Sequence, residues 1–231
     1  MPVTIRHHGK DFIMKDCFNY TREESISLAE KLYPKLIYSL AKIEGVEASL
    51  LDIQNILNEN NISSEIINEH DLEVIINLKN AWNFVLENID LNLNLDFISH
   101  INYYVSMNHS LEWGKLRSGE VGISGVKFRP KVPIEDEVTI NITKILDSEL
   151  STTEKALRLM LWGCRSQLFW DGNKRTSILA ANKLLLSKGK GLLIVNDEYI
   201  NDFNEILSDF YETNNYFKAT EFLQDKCLVV F

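Results

Sequence analysis

Residues 167–177 read QLFWDGNKRTS. An acid, an amide and two cations surround one glycine there, and an apolar run stands on each side. Upstream, Leu157, Met160, Leu161 and Cys164 recur at helical spacing, and Leu168 and Phe169 carry the run into the stretch. Downstream, Ile178, Ala181, Leu184 and Leu185 do the same. The spacing predicts helices over 152–166 and 173–188 that pack on each other and pin the loop between them at both ends. Asp171 stands where an N-cap would stand, and Gly172 permits backbone conformations that a side chain forbids. The N–H groups of Asn173, Lys174 and Arg175 then face outward at a helix amino terminus, which favours an anion. With Lys174 and Arg175 the stretch suits a polyphosphate, and Asp171 could hold a hard cation such as Mg2+ beside substrate phosphates. The plainer reading makes Asp171 a cap and the two cations a solvated first turn. Cations at this end of a helix cost about 0.3–1 kcal/mol each, which asks for a compensating anion.

The rest of the chain frames that loop. Its 231 residues are 45% hydrophobic and 25% charged, enough for a stable core, and only 10 glycines and 4 prolines favour helix over turn-rich sheet. The net charge of -9, from 33 acids and 24 bases, disfavours a phosphate-backbone partner, so neither DNA nor RNA is expected. Cys17, Cys164 and Cys227 are odd in number and far apart, which indicates neither a zinc site nor a disulfide framework and fits a reducing cytoplasm. The amino terminus MPVTIRHHGKDF has no apolar signal segment, and no run of 18 apolar residues occurs, so no membrane span is expected.

Thr21 and Glu24 form a capping-box pair, and Ile26 to Leu40 then recur at three- and four-residue spacing, predicting a helix over 22–44 stopped by Gly45. Ser49 caps a short helix that the polar NENNISS ends, and further helices are predicted over 71–87 and 96–107, joined by DLNLNLD. From 114 to 130, GKLRSGEVGISGVKFRP carries four glycines and alternating Val121, Ile123 and Val126, which reads as a short exposed β-hairpin. Helices near 136–147, 152–166, 173–188, 197–211 and 215–224 follow, with a strand-like apolar turn at Leu192–Val195. The fold class is all-α.

These residues and their order resemble the Fic/Doc family, whose signature is HPFxxGNGRxxR or, in Doc-like members, HxFxDxNKR. The resemblance spans most of the chain. LAANKLLLSKGKGLL and FYETNNYFKATEFL resemble the family's closing helices, the hairpin resembles its flap, and AKIEG at 41–45 resembles its (S/T)xxxE(G/N) inhibitory motif. It implies a Fic-type helical core over 91–231 with a β-hairpin flap, and an amino-terminal segment over 1–90 with an inhibitory-type helix, packed as one domain. It further implies that Phe169 anchors the loop, Asp171 holds Mg2+, and Gly172 with the amides about Asn173 forms an anion hole. Asn173 would contact phosphate, and Arg175 would hold the terminal phosphates of ATP. Glu44 and Gly45 would inhibit, and Val121, Gly122, Ile123, Ser124 and Gly125 would dock a target protein. The activity implied is AMP transfer from Mg-ATP to a protein hydroxyl, or phosphate transfer as in Doc-like members.

The sequence departs from the family pattern in three places. Gln167 stands where the general-base histidine belongs, and an amide takes no proton near neutral pH. Lys174 replaces a glycine, as in Doc-like members. Ile178 replaces the arginine that pairs with the inhibitory glutamate, so Glu44 must find Lys174 or Arg175 instead. The candidate functions are therefore an impaired or altered adenylyltransferase, a nucleotide-binding or partner-binding pseudoenzyme, and a Doc-like phosphotransferase. The plainer readings stay open as well: Glu44 as a solvated helix end, the hairpin as a structural excursion, and His7, His8, His70, His100 and His109 as core or surface residues. A homo-oligomer is possible.

Overall fold

A computed structural model describes residues 14–58 and 67–229. The amino-terminal stretch with His7 and His8, and NENNISS beyond Asn58, lie outside the described residues. Helix α1 (Arg22–Ile43) begins in the predicted capping box: Glu24 N–H donates to the Thr21 hydroxyl at 3.2 Å, and Thr21 N–H to Glu24 Oε2 at 2.7 Å. It ends at Glu44, followed by Gly45 at φ 89°. Ser49, Asn68 and Asn94 cap α2 (Leu50–Leu57), α3 (Glu69–Glu87) and α4 (Leu95–Val105) in turn. Asn94 belongs to the asparagine-rich linker, so that segment ends in a helix start. Then come α5 (Glu135–Leu146), α6 (Thr152–Ser166) and α7 (Asn173–Ser187). A 3-10 turn at Asp197–Tyr199 leads into α8 (Ile200–Thr213), and α9 (Tyr216–Phe222) runs on into a π turn at Leu223–Cys227.

Helix α7 is the axis of the fold. Its residues from Asn173 to Leu186 are buried almost without a break, and α1, α3, α4 and α6 pack around it. Its inner polar groups are matched: Asn182 exchanges hydrogen bonds with the Leu193 backbone at 2.6 and 2.9 Å, and Lys183 donates to the Leu91 carbonyl. Gly163 lets α6 lie close, since a β-carbon there would stand 2.4 Å from Ser177 Oγ. The strand-like turn becomes β1 (Leu192–Leu193), paired antiparallel with β2 (Leu228–Val229), Leu192 opposite Val229. The carboxy-terminal segment thus ties back to the end of α7, a pairing the sequence did not announce.

The predicted β-hairpin needs correction. The chain does turn at Ser124–Gly125, with Gly125 at φ 73° and Val126 N–H donating to the Ile123 carbonyl at 3.2 Å. Its two arms, however, form no ladder among the described residues. Side chains take the groups that a ladder would use. Arg117 reaches the carbonyls of Gly119, Pro130 and Lys131, Arg129 that of Val126, and Glu212 accepts from the Lys127 N–H. The flap is a loop held by side chains, with no ladder of its own among the described residues.

Candidate functional site

The loop between α6 and α7 is built around two amide side chains. Gln167 ends α6 at φ 47°, a left-handed conformation uncommon for a side-chain-bearing residue. Its Nε2 donates to the Cys164 carbonyl at 2.7 Å and its Oε1 accepts from Asn173 Nδ2 at 3.2 Å. Asn173 also accepts from the Phe169 N–H and donates to the Phe169 carbonyl, each at 2.9 Å. Both N–H groups of its carboxamide are therefore spent inside the loop. Through these bonds the Asn173 side chain fixes the loop. Phe169 is buried, as an anchor should be.

The cap expected at Asp171 falls one residue later. Gly172 is the N-cap of α7, at φ 73°, and no side chain caps this helix. A β-carbon on Gly172 would meet Val105 Cγ1 at 2.7 Å, so the left-handed backbone and the close approach of α4 both demand glycine. The first amides of α7 are thereby left without a side-chain cap. Asp171, freed from capping, places Oδ2 3.1 Å from Arg175 Nη2.

Arg175 is the centre of charge. It is only 1% exposed, unlike a solvated first-turn cation, while Lys174 is half-buried at the cavity wall. Arg175 Nε lies 2.9 Å from Glu44 Oε2. The N–H does not point along that line, so the contact is an ion pair without a hydrogen bond, and Nη1 has no hydrogen-bond partner among the described residues. One buried guanidinium thus faces two carboxylates, with hydrogen-bonding capacity left over. Ile178 is buried in the core, 1% exposed, and of the two candidate partners for Glu44 it is Arg175 that receives it. Beside the pair, a cavity of about 290 Å³ elsewhere aside, lies a cleft of about 230 Å³ bounded by Glu44, Gln167, Trp170, Asp171, Gly172 and Lys174. Gly45 follows at the exposed end of α1. Of the flap residues, Gly122, Ser124 and Gly125 are exposed, Val121 and Ile123 half-buried.

Two residues outside the quoted stretch hold this geometry. Arg117, 1% exposed, donates Nε to the Gln167 carbonyl at 2.5 Å, while its own N–H donates to Leu168 O at 3.0 Å. It therefore joins the flap base to the loop. Asn102, buried in α4, donates to the Asp171 carbonyl at 2.9 Å and to Thr176 Oγ1 at 3.2 Å, and accepts from Gly114 N–H at 3.0 Å. Each is one polar residue in an otherwise unremarked segment, and no spacing rule marks it. Elsewhere, His109 Nε2 lies 3.5 Å from Glu73 Oε2, with the His70 ring edge-on at 4.7 Å.

Burial, His70 and the Arg175 charge push the His109 pKa below its usual 6.5, against the opposing pull of Glu73 and Asp171. The neutral ring belongs to the folded state, so the unfolded chain binds the extra proton first. Stability should fall as pH drops below about 6.5 and level off under the depressed folded pKa. Thermal midpoints of the wild type and His109→Gln, followed from pH 8 to 5, should diverge only in that window. Parallel curves would remove His109 from the account.

Burial also pushes the Cys164 thiol up to about 12, beside Ser177 and Tyr211, so it stays a protonated core residue. Among the described residues no group of three or more His, Cys, Asp or Glu side chains could hold a metal. A metal here would have the Asp171 carboxylate from the protein and would take its other ligands from phosphates and water, which is the habit of Mg2+.

The fold and this loop together define a helical core whose central helix begins, uncapped, at a cleft lined by a glutamate from an amino-terminal helix. Several solved structures are similar to the chain. A Fic domain containing signaling protein from Bacteroides thetaiotaomicron superposes with a TM-score of 0.72 at 17% identity, over 88% of this chain and 85% of that one. Fic-1 from C. elegans gives 0.70 at 18%, and a Fic family protein from Desulfovibrio desulfuricans 0.68 at 15%; the chain spans 62% of the length of each. No family model and no curated protein matches the sequence. The chain has the Fic fold.

Proposed function

We propose that this chain is a Fic-family protein that binds Mg-ATP at the start of α7 and is held closed by Glu44. The observation that carries the reading is Arg175: a buried guanidinium with an unpartnered Nη1, at an uncapped helix amino terminus, behind the two carboxylates, Glu44 and Asp171, that line a cleft. Backbone N–H groups, a helix dipole and a fixed cation converge there as polyphosphate binding requires. Asp171 would hold Mg2+, which when bound offsets phosphate charge. Arg175 and Lys174 would hold phosphates, and the 1–90 segment supplies the glutamate that occupies Arg175 in the closed form.

The reaction assigned is AMP transfer to a target hydroxyl. The hydroxyl oxygen bonds to the α-phosphorus, the bond to the β-phosphate oxygen breaks, and pyrophosphate leaves. The proton lost by the hydroxyl has no base at Gln167 and passes to solvent, so transfer is slow. The flap at Val121–Gly125, which pairs with no strand among the described residues, would suit an extended segment of a target protein. No helix among the described residues is long and apolar enough to cross a membrane.

A second reading, nucleotide binding without transfer, draws on Gln167 itself, whose Nε2 and Oε1 are both engaged in the loop. Incubation with ATP labelled at the α or the γ phosphate, in a lysate, separates the readings. Protein label from α alone is expected. Label from γ alone would mean phosphate transfer, and no label with retained Mg-ATP binding would leave the second reading.

A further inference from the structure

On the opposite face of α4 from Asn102 and Val105, which meet the nucleotide loop, lies a second cavity of about 290 Å³. Helix geometry keeps the two apart: Asp96, Ser99, His100 and Tyr103 share one side of α4, and Ile98, Ile101, Asn102 and Val105 the other. Trp113 and Glu135 complete the walls from the following loop and the start of α5, with Leu95 and Leu116 supplying aliphatic surface.

The chemistry of these walls is one-sided. The rings of Tyr103 and Trp113 meet with centroids 6.0 Å apart and planes at 68°, forming an aromatic corner. The indole N–H is already spent on the Ser110 carbonyl at 3.1 Å. His100 Nδ1 lies 2.8 Å from the Asp96 carbonyl, which can only accept, so Nδ1 carries a proton and Nε2 of the neutral ring is an acceptor. Phe84 stacks on that ring at 5.6 Å and fixes its plane. What remains is two carboxylates, an imidazole acceptor, a hydroxyl and two aromatic rings. None of the described residues lining the cavity is cationic. Lys115, between two of them in sequence, pairs with Glu112 at 3.2 Å instead.

Asp96 alone has an ordinary explanation, since acids favour the first turn of a helix. Glu135 comes from a different element, and an aromatic corner offers an acid nothing. The combination fits a cation: ring faces attract an ammonium group, and carboxylates and a lone pair receive its N–H donors. We propose that this cavity binds a protonated alkylamine, with its ammonium head between Asp96, Glu135 and the two rings and its aliphatic stem on Leu95 and Leu116. A lysine side chain and a free diamine share that chemistry.

Calorimetric titration of the full chain separates these sources. The probes are Nα-acetyl-lysine methylamide, 1,4-diaminobutane, and the Nε-acetylated form of the first as an uncharged control. At least one amine should bind, the tighter of the two naming the source, and the control should not. Asp96→Asn with Glu135→Gln, both exposed and nearly isosteric, should weaken binding roughly tenfold, and Tyr103→Ala by about two- to fivefold. Mg-ATP binding should be the same in these variants as in the wild type, so the result stands apart from the nucleotide reading. Binding of neither amine, equal binding of the acetylated control, or an unchanged affinity in the double carboxylate variant would overturn the proposal.

Discussion

Glu44→Gly should tighten Mg-ATP binding by roughly 10- to 100-fold, the factor that one or two charge-assisted hydrogen bonds are worth. In the closed form the Arg175 guanidinium faces Glu44 at 2.9 Å and Asp171 at 3.1 Å. An incoming polyphosphate must displace one carboxylate or sit against it. Removing Glu44 takes away one negative charge at the cleft wall, where effective dielectric is low and repulsion between like charges costs several kcal/mol at about 4 Å. The variant should also melt at a lower temperature without ligand, because a buried cation loses half of its compensation. Mg-ATP should restore more of that loss than it adds to the wild type. Calorimetry and thermal denaturation read both effects. An unchanged dissociation constant would mean that Glu44 obstructs nothing, and absence of binding in Glu44→Gly would sink every nucleotide assignment for this loop.

Much of the fold is legible in the sequence because its signals are local. Thr21 with Glu24, Ser49 followed by an apolar run, and the three- and four-residue spacing of α1, α6 and α7 each act within a turn or two of helix. The flap misleads for the same reason. Alternating Val121, Ile123 and Val126 are local strand signals, but whether two arms pair depends on who else wants their backbone groups. Here Arg117, at the flap's own base, and the distant Glu212 take them. The pairing of Leu192–Leu193 with Leu228–Val229 is likewise a long-range event that no local pattern encodes.

The site shows the same division. Gly172 and the cations after it stand out in sequence, since a glycine opening a helix and two cations at its unfavourable end are both locally odd. The shift of the cap from Asp171 to Gly172 is not local, because Val105 of α4 enforces it from across the fold. The same holds for Glu44, whose partner had to be chosen between Lys174 and Arg175. Only the burial of Arg175 and Ile178 decides it. Arg117 and Asn102 carry no motif at all; their importance lies in which carbonyls they reach.

The largest change in activity should come from Gln167→His in the Glu44→Gly background, a rise in AMP transfer on the order of 10²–10⁴-fold, the range that a positioned general base contributes. The backbone favours the exchange, because φ 47° at this position is left-handed and histidine is among the residues enriched there. The cost falls on the loop: Gln167 Oε1 now accepts from Asn173 Nδ2, and Nε2 donates to the Cys164 carbonyl. An imidazole can replace one of these bonds with one nitrogen and keep the other as a lone pair, so a loss of about 1 kcal/mol in stability is expected and should be recovered by Mg-ATP. Everything else that transition-state binding needs stays in place, since the α7 amides, Arg175 and Asp171 do not depend on residue 167 for their charge. The two substitutions should act in sequence, with Glu44→Gly governing affinity and Gln167→His governing turnover. Transfer of α-labelled AMP, measured at saturating Mg-ATP across the four combinations, therefore separates them. If the double variant binds nucleotide as tightly as Glu44→Gly and still transfers no AMP, the missing proton acceptor is not what silences this loop, and the assignment of AMP transfer fails with it.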